Sequence, residues 1–526
     1  MSVPVTADAP AEPAVEQGRG RWIGLVVISL AVSLIIIDAS IVGVLLPGMV
    51  DELDLRATQA EWVTSVYSLM FAALLISFGR LADRFGRRRM LVLGTGVFVL
   101  ASMGAALAQG STSLIAARAL QGLGAAMIMP ATLSTINTLF HGRDRAVAFG
   151  VWGSMIGGMS AVGPLLGGWL ATWQGWRWAF LINLPLGLLL VAGARRYVPE
   201  TREPGDRGGL DWAGGVLSAL GLGSLVFALI EGQAYGWWGP AEDFAGWPVS
   251  AGLNLSPVPL VLAAGLLLLA ALVVVERRRA RAGLSVMLDF DLFRIASFRR
   301  GSVAASLISV GELGLLFVLP LFLQGAHGDS PLQICVAILP LAVGAFLSGG
   351  VAARLSERMG AHRVVQCGMA AEVAAVLAIG LTVHSGTTGY ELAPWMLMYG
   401  LGLGLTSAQL TNLSLSEVPH ASAGQASGTQ STARQVGSAL GIALIGTVFA
   451  TSLGHVMRER SGDETAAREL QHSVGSSVAD LSVTDPSLVH AAVESLAVAT
   501  GRAALVTAAI LAVGLIMTLR LRRRDT

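Results

Sequence analysis

Apolar runs of about bilayer-crossing length alternate along the chain with short polar connections. Fourteen of them fall at about 22–50, 61–78, 90–108, 113–140, 146–172, 178–197, 211–231, 257–275, 302–324, 332–353, 364–383, 393–415, 422–453 and 496–519. Such runs become helices in a membrane because a helix satisfies its own backbone where no water is available. The pattern therefore predicts an all-α polytopic membrane protein. The second and third runs are joined by Gly79-Arg80-Leu81-Ala82-Asp83-Arg84-Phe85-Gly86-Arg87-Arg88-Arg89, read as a loop, so these two helices are antiparallel neighbours. Short loops rich in positive charge stay on the cytoplasmic side. Five arginines place this loop there, and parity orients the rest. Segment 276–300, with seven arginines, falls on the same side, as does the Arg-rich tail at 520–526. Polar segment 454–494 falls outside, and residues 1–21 read as a disordered cytoplasmic tail without the apolar core of a cleaved signal.

Composition narrows the class further. Only 13% of residues are charged against 54% hydrophobic, far from the ~25% charge of soluble domains. A net charge of +1 excludes a bulk nucleic-acid role. Cys335 and Cys367 lie in or beside apolar runs and imply no disulfide framework. The chain has no lysine, and with abundant Ala and Gly this suggests a bacterial, GC-rich genome. Histidines show no metal-ligand spacing, and no G-x4-G-K-[ST] pattern appears, so neither a metal nor ATP-driven chemistry has support.

The connection around Asp83 carries more than topology. Gly79 and Gly86 allow close approach or unusual backbone angles, and Asp83 can pair with an arginine or with a neighbouring helix N-terminus. An internal repeat supports two equivalent halves: Arg354-Leu355-Ser356-Glu357-Arg358-Met359-Gly360 matches Arg80 to Gly86 in acid, arginine and glycine. The pattern G-x-L-A-D-R-x-G-R-R-x resembles the cytoplasmic signature of the major facilitator superfamily, between its second and third helices. The resemblance implies two six-helix bundles, 22–198 and 301–519, with two extra helices within 199–300. It also implies conformational gating by Gly79, Asp83, Arg84, Gly86 and Arg87, with Glu357 and Arg358 as counterparts.

Several charges lie inside the apolar runs, where they are costly and face a cavity or a partner. Asp38 lies about 16 residues past Trp22, roughly 24 Å along a helix. Desolvation disfavours its charge, making it a candidate proton or cation site or a hydrogen-bonded structural acid. The segment Asp38-x8-Pro47 resembles the first-helix signature of the fourteen-helix drug:H+ antiporter-2 family, although Gly43 and Leu45 depart from it. Arg118 needs an acidic partner, a wet cavity or a route to the interface, and Gln121 shares its face at i+3. The R-x-x-Q-G pattern is similar to the superfamily's fourth-helix motif, which implies proton coupling. Gly153-x3-Gly157-Gly158 and Gly163-Pro164-Leu165-Leu166-Gly167-Gly168 form a small-residue stripe with a bend at Pro164. It resembles the antiporter signature G-x3-G-P-x2-G-G, with Met159 in place of the first glycine, and implies export, with Gly163, Pro164, Gly167 and Gly168 taking part in conformational gating. The stretch from Trp176 to Gly187 resembles the fifth-to-sixth helix junction of the same family.

In the second half, Glu312 is central in its run. The superfamily mapping puts Asp38, Gln121, Arg118, Glu312, Gln409 and Asn412 around one central chamber, with Asp38, Arg118 and Glu312 coupling protons. Two acids among apolar walls suit a lipophilic cation. Glu372 and Arg434 read as structural, or as partners of one another. The expectation is a monomeric exporter in the plasma membrane, driven by the proton gradient without a cofactor, carrying drugs or antibiotics. A dedicated exporter of an endogenous lipid, peptide or antibiotic and a non-transporting scaffold are the alternatives.

Overall fold

The computed structural model describes residues 19–202, 211–232, 235–239, 255–419, 422–473, 475, 478 and 486–519. The two terminal tails, most of the 232–256 connection and part of segment 454–494 lie outside them. The first half comprises α1 (Arg19–Leu53), α2 (Ala57–Phe85), α3 (Arg87–Ala106), α4 (Ser111–Leu139), α5 (Gly142–Trp173), the short α6 (Arg177–Leu181) and α7 (Asn183–Tyr197). Two inserted helices follow, α8 (Trp212–Ile230) and α9 (Pro257–Arg281). The second half contains α10 (Ala296–His327), α11 (Pro331–Met359), α12 (Ala361–Thr382), α13 (Gly389–Ser414), α14 (Ala423–Ser461), α15 (Glu464–His472) and α16 (Pro486–Leu519). Among the described residues 13 helical segments are long and apolar enough to cross a membrane, α6 and α7 together forming one. The 26-residue α13, broken in hydropathy by Ser407, Gln409, Thr411 and Asn412, is not among them and takes the place of the run predicted at 393–415.

Local chemistry explains the helix starts. Ser256 accepts from the Val258 amide with Pro257 in the first turn of α9, and Ser330 and Gln333 form a capping box before α11. The connection around Asp83 differs from the expected loop. Helix α2 runs on through Phe85, α3 starts at Arg87, and the whole reversal is made at Gly86, with φ 110° and ψ 133°. Gly360 makes the same reversal between α11 and α12, with φ 84° and ψ 145°. A residue with a Cβ is strained at such a φ, so both copies of the repeat need glycine there. Helix α5 stays continuous through Pro164. Polar segment 454–494 is helical at both ends, because α14 runs on to Ser461 and α16 begins at Pro486.

Each half has its own apolar core. Phe98, Phe149, Trp152 and Ile28 anchor the first, and Phe322, Phe449, Tyr399 and Leu496 the second. Lipid offers no hydrophobic drive for helices to associate, so they hold together by close packing and polar contacts. Helix α5 shows this on two sides. A Cβ at Gly163 would stand 2.8 Å from the Ile37 carbonyl of α1, and one at Gly150 would stand 2.8 Å from the Gly349 carbonyl of α11. Gly163→Val is therefore expected to separate α1 from α5 and lower the thermal unfolding temperature in detergent by several degrees. An unchanged melting curve would refute close packing there.

The inserted pair is unequal. Only 17% of the apolar window of α9 is buried, against 72% for α4, which puts α9 against lipid. Helix α8 instead lies along the seam where α2 meets α14, with Val226 and Leu229 packed on Ala72, Ala439 and Ala443. Trp237 joins that cluster, whereas Trp238 is 77% exposed, as suits a membrane interface.

Candidate functional site: two buried charge clusters and a latch

The start of α1 and the end of α16 both lie at the Arg-rich face. Arg21 at the start of α1 pairs with Asp144 at 2.6 Å, and Gln366 at the start of α12 donates to the Thr518 carbonyl near the end of α16. On this face the halves are joined. Asp83 is fully buried; one of its oxygens accepts from Arg87 at 2.8 Å and from the Gly424 amide at 2.8 Å, the other from the Gln425 amide at 3.0 Å. Both routes read from the sequence, an arginine and a helix N-terminus, are used at once. The amides belong to the first turn of α14, where unsatisfied N–H groups and the helix dipole favour an anion. Arg87 also donates to Thr138 of α4. Gly79 makes the approach possible, since a Cβ there would lie 2.5 Å from the Gly424 carbonyl. Arg84 stacks its guanidinium on Phe85.

Two further contacts close the same face, and sequence reasoning had singled out neither arginine. Arg143 of α5 meets Glu357 of α11 at 2.5 Å, and Arg145 donates to the Asn412 carbonyl of α13 at 2.6 Å. Glu357 thus bridges the halves from the repeat copy of the Asp83 motif. Among the described residues Arg358 makes no such bridge.

Asp38 and Arg118 form the first cluster. Arg118 donates to Asp38 at 2.6 Å and to Gln121 at 2.9 Å, and Gln121 returns its amide to the other Asp38 oxygen at 2.9 Å. Asn183, at the first position of α7, donates to that same oxygen at 3.1 Å. Ser102 of α3 accepts from both amides, at 2.8 and 3.1 Å. The Arg118 Nε reaches the Val63 carbonyl, and its guanidinium lies 4.5 Å from the centre of the Tyr67 ring. Asp38 and Arg118 are each 1% exposed. The carboxylate is therefore held by one cation and two amides, with no free face. Ser102, Asn183 and Tyr67 were missed; a lone polar residue within an apolar run was their only signal.

Glu312 heads a separate cluster. Its carboxylate lies 3.7 Å from Arg434 of α14. Arg434 and Glu372 read from the sequence as structural or as partners of one another; the structure pairs Arg434 with Glu312 instead. Glu372 sits wholly buried on α12 against Gly402 of α13, and neither of its oxygens has a hydrogen-bond partner. The residues expected around one chamber lie here in separate clusters. Asp38, Arg118 and Gln121 are sealed inside the first half among α1, α3, α4 and α7, while Glu312 keeps its own partner in the second. Gln409 is fully buried and receives the Asn412 side-chain amide at 3.4 Å, close to the joined face. Gly163 and Gly167, expected to act in gating, pack α5 on α1, Gly167 against Ile41, and Gly168 faces Leu332 of α11. Among the described residues no group of three or more His, Cys, Asp or Glu is placed to hold a metal.

Two pseudo-equivalent helix bundles, buried ion pairs and a latch at one face define an integral membrane transporter of small molecules. The chain belongs to the Major Facilitator Superfamily, whose family model matches residues 28–442. It is 36% identical over 452 residues to the puromycin resistance protein pur8 of Streptomyces alboniger, covering 85% of each chain. It is 33% identical to the probable actinorhodin transporter of Streptomyces coelicolor, covering 85% of this chain and 75% of that one. To the multidrug efflux pump LfrA of Mycolicibacterium smegmatis it is 32% identical over 81% of each. The fold matches the crystal structure of the human organic anion transporter MFSD10 (TETRAN), with a TM-score of 0.61 at 15% identity, over 95% of this chain and 99% of that one.

Proposed function

We propose that this chain exports lipophilic, cationic drugs or antibiotics across the plasma membrane in exchange for protons, by alternating access between its two halves. The observation that carries the proposal is the Asp38–Arg118 pair, a buried charge cluster kept where a purely structural membrane protein has no use for one. The resistance and efflux names of the relatives support the direction of transport. With the Arg-rich face cytoplasmic, the joined state is closed inward, and both termini lie inside.

In the cycle, a proton arriving from outside neutralises Asp38 and strips Arg118 of its charge partner. Arg118 then keeps only Gln121 and the Val63 carbonyl as acceptors, and the packing of α1 on α4 loosens. Glu312 and Arg434 repeat the logic in the second half. Proton loss on the inner side restores both pairs. Each charge moved down the field contributes about 2.3 kcal/mol per 100 mV, before any pH gradient.

Ethidium efflux from energised cells tests this, comparing wild type, Asp38→Asn, Glu312→Gln and an empty vector with and without protonophore. Wild type is expected to drain dye, to stop with protonophore, and to fall to the vector level on Asp38→Asn. A wild type equal to the vector would favour the second proposal, a dedicated exporter of a self-made metabolite. The likeness to the probable actinorhodin transporter is what favours that second proposal.

A further inference from the structure

At the face opposite the arginines, Glu61 in the first turns of α2 comes beside Glu231, just past the end of α8. Neither belongs to the clusters already described. Glu61 is half-buried, whereas Glu231 is 1% exposed and neither of its oxygens has a hydrogen-bond partner. The Ser65 hydroxyl lies beside Glu231 but donates its proton to the Glu61 carbonyl at 2.9 Å. The surroundings are aromatic. Phe227 packs between Trp62 and Tyr235, at 5.8 and 6.1 Å between ring centres, and the Trp62 indole donates to the Tyr235 hydroxyl at 3.1 Å.

The other groups around Glu231 can be enumerated. From α2 come Glu61, Ser65 and Trp62; from the segment after α8 comes Tyr235. Helix α14 presents Ala439 and Ala443 at this seam, and the start of α9 brings Ser256, which donates to the Tyr235 carbonyl. Arg56, the exposed N-cap of α2, is the cation closest along the chain, and among the described residues no arginine or histidine acts on either acid. Two carboxylates this close in apolar surroundings cannot both hold a negative charge without a cation between them. A proton is the one cation that needs no added space.

We propose that Glu61 and Glu231 form a proton-binding site, Glu61 meeting water and Glu231 storing the proton inside the α2–α8–α14 seam. Burial pushes the Glu231 carboxyl above the usual carboxylate range, which fits a stored proton. A group raised in the folded state adds stability that is complete at acid pH and lost as pH rises through its folded value. Ionised Glu231 then repels Glu61 and loosens α8 from α2, so the outer end of the seam senses the external pH. The inference stands apart from the export proposal, since its readouts need no substrate.

The test uses the purified full chain in detergent. Tryptophan fluorescence is titrated with pH for wild type, Glu231→Gln and Glu61→Gln, and thermal unfolding is followed over the same range. Wild type is expected to show a fluorescence step above the ordinary Glu range, from Trp62 and Trp237, and a melting temperature that falls through that step. Glu231→Gln removes both. Glu61→Gln, which keeps the buried acid and removes its neighbour's charge, moves the step to lower pH. Curves for wild type and Glu231→Gln that coincide would overturn the proposal. So would a wild-type step abolished by tetraphenylphosphonium or magnesium, which would make the site one for a larger cation. Size-exclusion profiles identify a misfolded variant, and Glu61→Gln then decides alone.

Discussion

Arg118→Leu is expected to destabilise the transporter by about 3–5 kcal/mol, the cost of leaving one member of a buried ion pair uncompensated. The stranded group is Asp38, which would keep only the Gln121 and Asn183 amides. Asp38→Asn is expected to be milder, because an amide can still meet Ser102 or Gln121, but Arg118 then remains charged inside the first half. The double variant is the informative one. With both charges removed, the loss should be clearly smaller than the sum of the single losses, since neither charge is left alone. Urea or thermal unfolding in detergent reads this directly. Strictly additive losses would show that the 2.6 Å contact carries no coupling. Transport should be lost in all three variants whatever their stability, which separates coupling from folding.

The second large effect concerns the latch. Asp83→Asn removes a carboxylate that accepts three charge-assisted or helix-terminal bonds, each worth about 1.5–3 kcal/mol where charge is involved. Since 1.4 kcal/mol is about tenfold, even one lost bond shifts the balance towards the state open at the Arg-rich face by roughly ten- to a hundredfold. Gly424→Val should do the same by contact alone, since its Cβ would stand 2.4 Å from the Gly79 carbonyl. A cysteine placed at Ser427, fully buried beneath the latch, reports the opening once Cys335 and Cys367 are replaced. Thiol reagent should label it much faster in both variants than in the parent. Equal labelling would mean that the latch does not hold the halves together.

What could be read from the sequence depended on where the chemistry resides. Gly86 and Gly360 were legible because one residue type solves a backbone problem. The fourteen spans were legible from composition, although α13 carries enough polar residues to blur its own signal. That Asp38 and Arg118 each needed a partner or a cavity was legible from the cost of a charge in an apolar run, but that they partner one another was not. The partner of Asp83 was legible only as a kind, since the Gly424 and Gln425 amides are backbone groups more than 300 residues away and any helix start offers the same atoms. That Arg434 partners Glu312 was not legible for a related reason. Two acids lay in apolar runs of the same half, and only the rotation of α14 about its axis selects Glu312. Glu61 and Glu231 escaped notice because both sit at helix ends, where an acid in sequence looks solvated.

Helix α8 also makes the molecule lopsided towards the lipid. The two halves meet along two lines, α2 with α14 and α5 with α11, and a rotation that exchanges the halves would exchange those lines. One of them is roofed by α8, whose Val226 and Leu229 touch both sides, and the other has no such cover among the described residues. A solute dissolved in the bilayer therefore meets the junction between the halves directly along α5 and α11 alone. Sideways entry from the membrane, if the transporter uses it, has a single door, and the glycines of α5 are its hinge side.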